Sequence, residues 1–337
     1  MKKKLIAMLL SAAMCLSLAA CGQKADTPDT PDTPDTTDPA EPSGDAATYT
    51  VGICQLVQHE ALDAATQGFI DALNEALPGQ VKIEEKNASG DSNSCATIVN
   101  GFVSEGVDLI MANATAALQA AASATSDIPV LGTSITAYGV ALDIDDFSGT
   151  VGGNVSGTSD LADLSKQADM ITEWFPETQK VGLLFCSAEP NSRYQIEEVA
   201  KNLSAKGIET KEFAFTDSND VASVTQSAAD YADVVYLPTD NIAASNTEAI
   251  ANILVPAGVP AICGEEGICS GCGVATLSIS YYDLGVTTGK MAAKILTGEA
   301  DISTMPIEYT DATPKYNPTI CEELGIQPLD GYEAIEG

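Results

Sequence analysis

The sequence predicts an α/β protein of two doubly wound lobes, each built on a parallel sheet. Two observations carry that expectation. From residue 49 onward, short apolar runs alternate with longer amphipathic segments, which is the pattern of successive right-handed βαβ units. The alternation breaks at a glycine-rich passage, residues 149–157, and then restarts over a similar length. Size agrees, since 337 residues with 45% hydrophobic side chains exceed one core of roughly 100–200 residues.

Tyr49–Leu56 reads as a strand, and 61–76 as a helix with Ala65, Phe69, Ala72, Leu73 and Ala76 on one face. Strand Val81–Asn87, helix Cys95–Ser104 and buried strand Leu109–Ala112 follow. A helix over Ala116–Ala124 and a strand over Ile128–Leu131 close the first cycle. The second cycle reads helix Ser159–Trp174, strand Lys180–Phe185, helix Arg193–Lys206, strand Glu209–Ala214 and helix Val221–Ala229. Strands Val234–Leu237 and Ala261–Cys263 flank a last helix, Ala243–Leu254. Sheets of this kind bind ligands at the carboxyl ends of their strands, near a switch in strand order. That rule selects the loops 55–60, 113–116, 132–138, 186–192, 238–242 and 264–273.

Ahead of the folded part stands an address. Lys2, Lys3 and Lys4 precede the apolar stretch Leu5–Leu18, which is shorter than the about 20 residues of a membrane span and suits a signal peptide. It ends in Leu18-Ala19-Ala20-Cys21, which resembles the lipobox of bacterial lipoproteins. The resemblance implies that Cys21 is acylated, with palmitate among the chains, and anchors the protein to the outer face of the membrane. Residues 22–48 repeat Thr-Pro-Asp from positions 27, 30 and 33 and hold seven acids, one Lys and no large apolar side chain. Such a stretch cannot offset its ordering entropy, so 1–20 reads as signal peptide and 21–48 as a disordered tether.

Charge and chemistry narrow the function. Fifteen Lys and Arg against 48 Asp and Glu give −33, a surface that repels phosphate backbones and excludes nucleic acid as a partner. His59 is the only histidine, which excludes a multi-histidine metal site, and the sequence picks out no Ser-His-Asp set around it. Beyond Cys21 remain Cys54, Cys95, Cys186, Cys263, Cys269, Cys272 and Cys321. Cys269-Ser-Gly-Cys272 has C-x-x-C spacing, the basis of an alternative reading as a thiol redox or metal protein. Zinc wants four ligands and there is no second such pair. A redox C-x-x-C opens a helix, whereas this one lies between Gly267 and Gly273. No metal, no cofactor and no enzymatic activity are expected.

The segments Val51–Asp63, Gln67–Leu73, Ala114–Ala117, Ser187–Ser192, Leu237–Asn241, Ile279–Gly285 and Lys290–Gly298 resemble, in order and spacing, one family. It is that of ABC-transporter substrate-binding proteins related to the tryptophan-binding lipoproteins. The resemblance runs from about Tyr49 to Pro328. It implies the type I periplasmic-binding-protein fold, with two lobes joined by three crossovers near 156–162, 276–282 and 304–310. The first lobe would take 49–158 plus 280–305, and the second 159–279 plus 306–330. It implies a monomer whose partners are a small ligand, most often an aromatic amino acid, and an ABC permease with its ATPase. The membrane is met through the lipid anchor alone. A branched-chain amino acid, sugar or nucleoside on the same fold is the alternative. Ala137-Tyr138 and Gln58-His59-Glu60 depart from the family's usual Asp-Pro and Glu-His-Pro in these loops.

An amino acid presents a carboxylate and an ammonium, and a dry cleft must satisfy both. In the first lobe the expected contacts are Gln55, His59, Asn113, Thr115, Ala116, Ser134 and Tyr138. Thr115 is placed to cap its helix and, with Ser134, to receive the carboxylate, while Tyr138 could stack on a ligand ring. In the second lobe they are Glu189, Asn191, Ser192, Thr239, Asp240, Asn241 and Glu265. Asp240 and Glu189 are the candidate acceptors of the ammonium.

Overall fold

The computed structural model describes residues 48–336, so the expectations for the signal peptide, Cys21 and all but the last residue of the tether lie outside the described residues. Two sheets organise the chain. The first comprises β1 (Tyr49–Gln55), β2 (Val81–Asn87), β3 (Leu109–Asn113), β4 (Val130–Ile135), β5 (Val155–Ser159) and β11 (Glu308–Tyr309). Its order is β11-β5-β4-β3-β1-β2, with every pair parallel. The second comprises β6 (Lys180–Cys186), β7 (Glu209–Phe215), β8 (Val234–Leu237), β9 (Ala261–Cys263), β10 (Ala275–Ile279), β12 (Ala312–Tyr316) and β13 (Glu333–Ala334). Its order is β13-β12-β10-β9-β8-β6-β7, and only β10 with β12 runs antiparallel.

Helices cover both faces of each sheet, which is why β3, β4, β8 and β9 are buried along their whole length. The first lobe carries α1 (Glu60–Ala76), α2 (Ser92–Glu105), α3 (Thr115–Ala124), α4 (Tyr138–Ala141) and α11 (Tyr281–Leu296). The second carries α5 (Leu164–Trp174), α6 (Pro190–Ala205), α7 (Val221–Ala229), α8 (Asn241–Ala244), α9 (Thr247–Ala257), α10 (Glu266–Cys272) and α12 (Pro318–Leu324). Asp91, Asp163 and Asn317 cap their helices by accepting amide hydrogens of the first turn. Helices α1 and α11 lie against each other at glycine distance. A Cβ on Gly68 would stand 2.1 Å from the Tyr282 carbonyl oxygen, and one on Gly285 would stand 2.0 Å from that of Ala65. This contact fixes the start of α11, and with it Tyr281, against the first lobe.

The chain passes between the sheets after β5, after β10 and between β11 and β12. Four expectations need correction. Ser159–Trp174 is not one helix, because residues 155–159 form β5, whose Ser, Gly and Thr side chains hide the strand from a hydrophobicity reading. Glu308 and Tyr309 pair with Thr158 and Ser159, so the first sheet extends past 305 into the stretch assigned to the second lobe. The helix expected over 243–254 is two, α8 and α9, with Ser245 and Asn246 between them. Cys269 and Cys272 lie inside α10 rather than in a loop between glycines, and both are buried.

Candidate functional site

A cavity lies between the lobes, with free space of only about 10 Å³, roughly what one water needs, so the cleft is drawn tightly closed. The first lobe contributes His59, Leu62, Ser134 and Thr136, and the second Asn191, Thr239, Asp240, Asn241 and Glu265. Asp160 and Tyr281 complete it from two of the connections between lobes. Strand ends deliver most of these groups, as the topology requires. Ser134 stands at an irregularity in the β4–β5 pairing, with φ of 57°, a left-handed conformation that a serine adopts only under constraint. Tyr281 opens α11 and donates its hydroxyl to Asp160 Oδ2 at 2.9 Å, tying one connection to another.

The electrostatics are one-sided. Asp160, Asp240 and Glu265 line the cavity, Glu189 lies just behind it, and neither lysine nor arginine is in the lining. Burial pushes the Asp160 carboxyl up to about 6, with the Thr136 and then the Tyr281 hydroxyl pulling the other way. It pushes Glu265 up to about 7, opposed by the Gly267 and Ile268 amides. Glu189 is raised by burial first and the Asp240 charge second, and burial raises Asp240. Burial also holds His59 below the usual histidine range, favouring the neutral imidazole.

Seven of the residues expected in the cleft line this cavity: His59, Ser134, Asn191, Thr239, Asp240, Asn241 and Glu265. The others stand elsewhere. Gln55 accepts from Thr66 Oγ1 at 2.6 Å and donates to Asp63, and Asn113 donates to the Leu62 carbonyl and Thr66, so both brace α1 from beneath. Thr115 is the first residue of α3 rather than its cap, a place taken by Ala114 at φ 86°. Ala116 faces the groove between α2 and α3. Tyr138 is buried in the first lobe with its hydroxyl on the Gly132 and Thr158 carbonyls, so its ring is not presented to a ligand. Glu189 and Ser192 support the lining from behind. Glu189 accepts from the Asn241 amides and the Ile242 N–H, and Ser192 bonds to Asn191 and the Thr239 carbonyl.

Leu62, Thr136, Asp160 and Tyr281 are lining residues that the sequence reading did not select. Thr136 lay within a chosen loop. Asp160 and Tyr281 lie on connections, to which the strand-end rule does not point. The signal for Asp160 was a lone acid closing the uncharged run Val155–Ser159, and that for Tyr281 its place in the family-like segment Ile279–Gly285.

The chain matches, over residues 50–331, the family described as ABC transporter substrate binding protein. The chain belongs to this family. As a substrate-binding protein of an ABC transporter it acts outside the cytoplasm on a small-molecule ligand. It is 32% identical to the tyrosine-binding protein of Clostridioides difficile strain R20291, over 78% of this chain and 76% of that protein. The structure of an ABC domain from Streptococcus pneumoniae in complex with L-Trp is 31% identical and superposes with a TM-score of 0.81, covering 86% of this chain and 100% of the other. The ligand-free, open structure of a Clostridium difficile substrate-binding protein with adhesive properties is 33% identical over 86% of this chain and 99% of the other, yet its TM-score is 0.65. At nearly equal identity the better match is to the ligand complex, in keeping with a cleft drawn closed. Among the described residues no helix is long and apolar enough to cross a membrane.

Proposed function

We propose that this substrate-binding protein is the lipid-anchored receptor of an ABC importer and captures an aromatic amino acid between its lobes. The single observation that carries the ligand class is the chemistry of the cavity. Three carboxylates, with amides, hydroxyls and a neutral imidazole around them and neither lysine nor arginine, call for a ligand that brings its own positive charge. A zwitterion does so. Leu62 and the Tyr281 ring offer the apolar surface beside them. Relatives that bind tyrosine and L-Trp support the aromatic choice. Acylated Cys21 and the Thr-Pro-Asp tether would hold the lobes near the permease and its ATPase.

A thermal-shift screen of the twenty amino acids, with sugars and nucleosides alongside, tests this reading. A ligand at 100 times its Kd adds roughly 2.7 kcal/mol. L-Trp, L-Tyr or L-Phe should give the largest shift. A shift from a sugar or nucleoside with none from any amino acid would refute the proposal.

A further inference from the structure

We infer that the ligand's ammonium is held by three oxygens, Ser134 Oγ, Asp160 Oδ1 and Asn191 Oδ1, with Asp160 as its counter-charge. This rests on the amino-acid reading of the cavity. Among the described residues, seven buried side-chain polar atoms lack a hydrogen-bond partner, and these three belong to residues that line this cavity. Each of the three residues is more than nine-tenths buried, at 7%, 3% and 5% exposure respectively. A buried acceptor without a donor is costly, and natural structures rarely leave one without a reason. A primary ammonium has three N–H donors and no acceptor, so three acceptors match it in number and in kind.

The other carboxylates around the cavity are already occupied. Asp240 accepts from the Ala243 N–H at 2.8 Å and the Cys186 N–H at 2.6 Å, one on each oxygen. Glu265 accepts from the Gly267 N–H at 2.6 Å and the Ile268 N–H at 2.7 Å, again one on each. Both oxygens of Glu189 are held by the amides of 241 and 242. Asp160 alone keeps an oxygen without a partner at hydrogen-bond geometry: Tyr281 engages Oδ2, and the Thr136 hydroxyl, near enough to help hold the carboxyl's proton affinity down, makes no such bond to Oδ1. The Asn191 amide is oriented by its own bonds. Its nitrogen donates to Glu189 Oε2 at 3.2 Å and the Thr239 carbonyl at 3.1 Å, which leaves Oδ1 without a partner.

The three oxygens come from the first lobe, the second lobe and a connection between them. An ammonium bound to all three draws the lobes together, so closure depends on the charged amine rather than on the ring. A ligand lacking that amine should bind poorly whatever its side chain.

Titration calorimetry of L-Trp and indole-3-propionate, which differ only in the ammonium, measures the effect directly. The unmodified protein should prefer L-Trp by more than about 100-fold. Asp160→Asn should cut that ratio at least tenfold by weakening L-Trp while sparing indole-3-propionate. Should Asp160→Asn not fold, Ser134→Ala, which removes one of the three oxygens, should lower the same ratio severalfold. An unchanged ratio in Asp160→Asn, or in Ser134→Ala where that variant stands in, overturns the inference and leaves the amino-acid reading intact. Collapse of the ratio in Asp240→Asn alone would do the same. If a non-aromatic amino acid binds instead, it and its deaminated counterpart take the same test, and only the aromatic choice fails. If no ammonium-bearing probe binds, the inference falls together with the reading beneath it.

Discussion

His59 Nε2 lies 3.3 Å from Asn241 Oδ1, a bond that spans the cleft from the loop after β1 to the first turn of α8. The Asn241 amide continues it, donating to Glu189 Oε2 at 2.6 Å. Because the partners belong to different lobes, the bond exists only while the lobes are closed. It acts as a latch beside the cavity. One such hydrogen bond contributes a net of about 0.5–1.5 kcal/mol. His59→Ala should therefore weaken the amino-acid ligand by roughly two- to twelvefold, at 1.4 kcal/mol per decade. The loss should appear mainly in the dissociation rate, since capture by the open form does not need the latch. Stopped-flow binding reads both rates, and an unchanged dissociation rate would dismiss the latch.

Tyr138 separates stability from binding. Its hydroxyl sits 3.0 Å from the Gly132 carbonyl and 3.2 Å from that of Thr158, bridging β4 and β5. The bridge needs its glycines, for a Cβ on either Gly132 or Gly157 would approach the hydroxyl to 2.4 Å. Tyr138→Phe removes the donor and leaves two buried carbonyls, a loss of about 1–3 kcal/mol. Denaturant unfolding should show that loss while ligand affinity stays within twofold. Weakened binding at unchanged stability would return Tyr138 to the cleft.

The layout of both sheets was legible because parallel strands covered on two faces are continuous apolar runs, as in Leu109–Ala112 and Val234–Leu237. Strand β5 was not, since Ser156, Gly157, Thr158 and Ser159 are buried by hydrogen bonding rather than by apolar character. Thr158 Oγ1 lies within bonding distance of Thr133 and Thr288, and Ser159 donates to the Thr136 carbonyl. The site was half legible for a related reason. Strand-end position picked out Asp240, Glu189 and Glu265, but it does not say which carboxylates spend their oxygens on nearby backbone amides. Only the folded geometry distinguishes them from Asp160. The aromatic Tyr138 misled because an Ala-Tyr step in a cleft loop looks the same in sequence whether the ring turns outward or into the core.

Membrane attachment has its own test. Leu18-Ala19-Ala20-Cys21 and the acidic Thr-Pro-Asp run motivate a lipid anchor on Cys21, which would bind firmly with two or more acyl chains. In a bacterial host, Cys21→Ser should move the protein from the membrane fraction into the soluble exported fraction. Ligand affinity should not change, because the tether precedes the folded residues. Retention of Cys21→Ser in washed membranes would exclude the anchor.

Ligand binding should release protons, and its strength should rise with pH. Asp160 and Glu265, pushed up to about 6 and about 7, ionise near 4 in an unfolded chain, and Glu189 and Asp240 are raised as well. Between roughly pH 4 and 8 the closed, ligand-free form thus binds more protons than the unfolded chain. Its stability from these groups falls as pH rises through that window. His59 works in the opposite sense, since burial lowers its proton affinity and protonation of the unfolded chain favours unfolding at low pH. Several carboxylates outweigh one imidazole, so the free protein's Tm should drop by several degrees from pH 5 to pH 8. The ligand's ammonium reverses the penalty by supplying the counter-charge that Asp160 lacks. The added stabilisation by ligand should therefore grow from pH 5 to pH 8, while the amine itself stays charged. Calorimetry near pH 6 in two buffers of different ionisation enthalpy should register proton release in the unmodified protein and much less in Asp160→Asn. Ligand stabilisation that stays level or shrinks as pH rises would show that the cavity's carboxylates do not meet the ligand's charge.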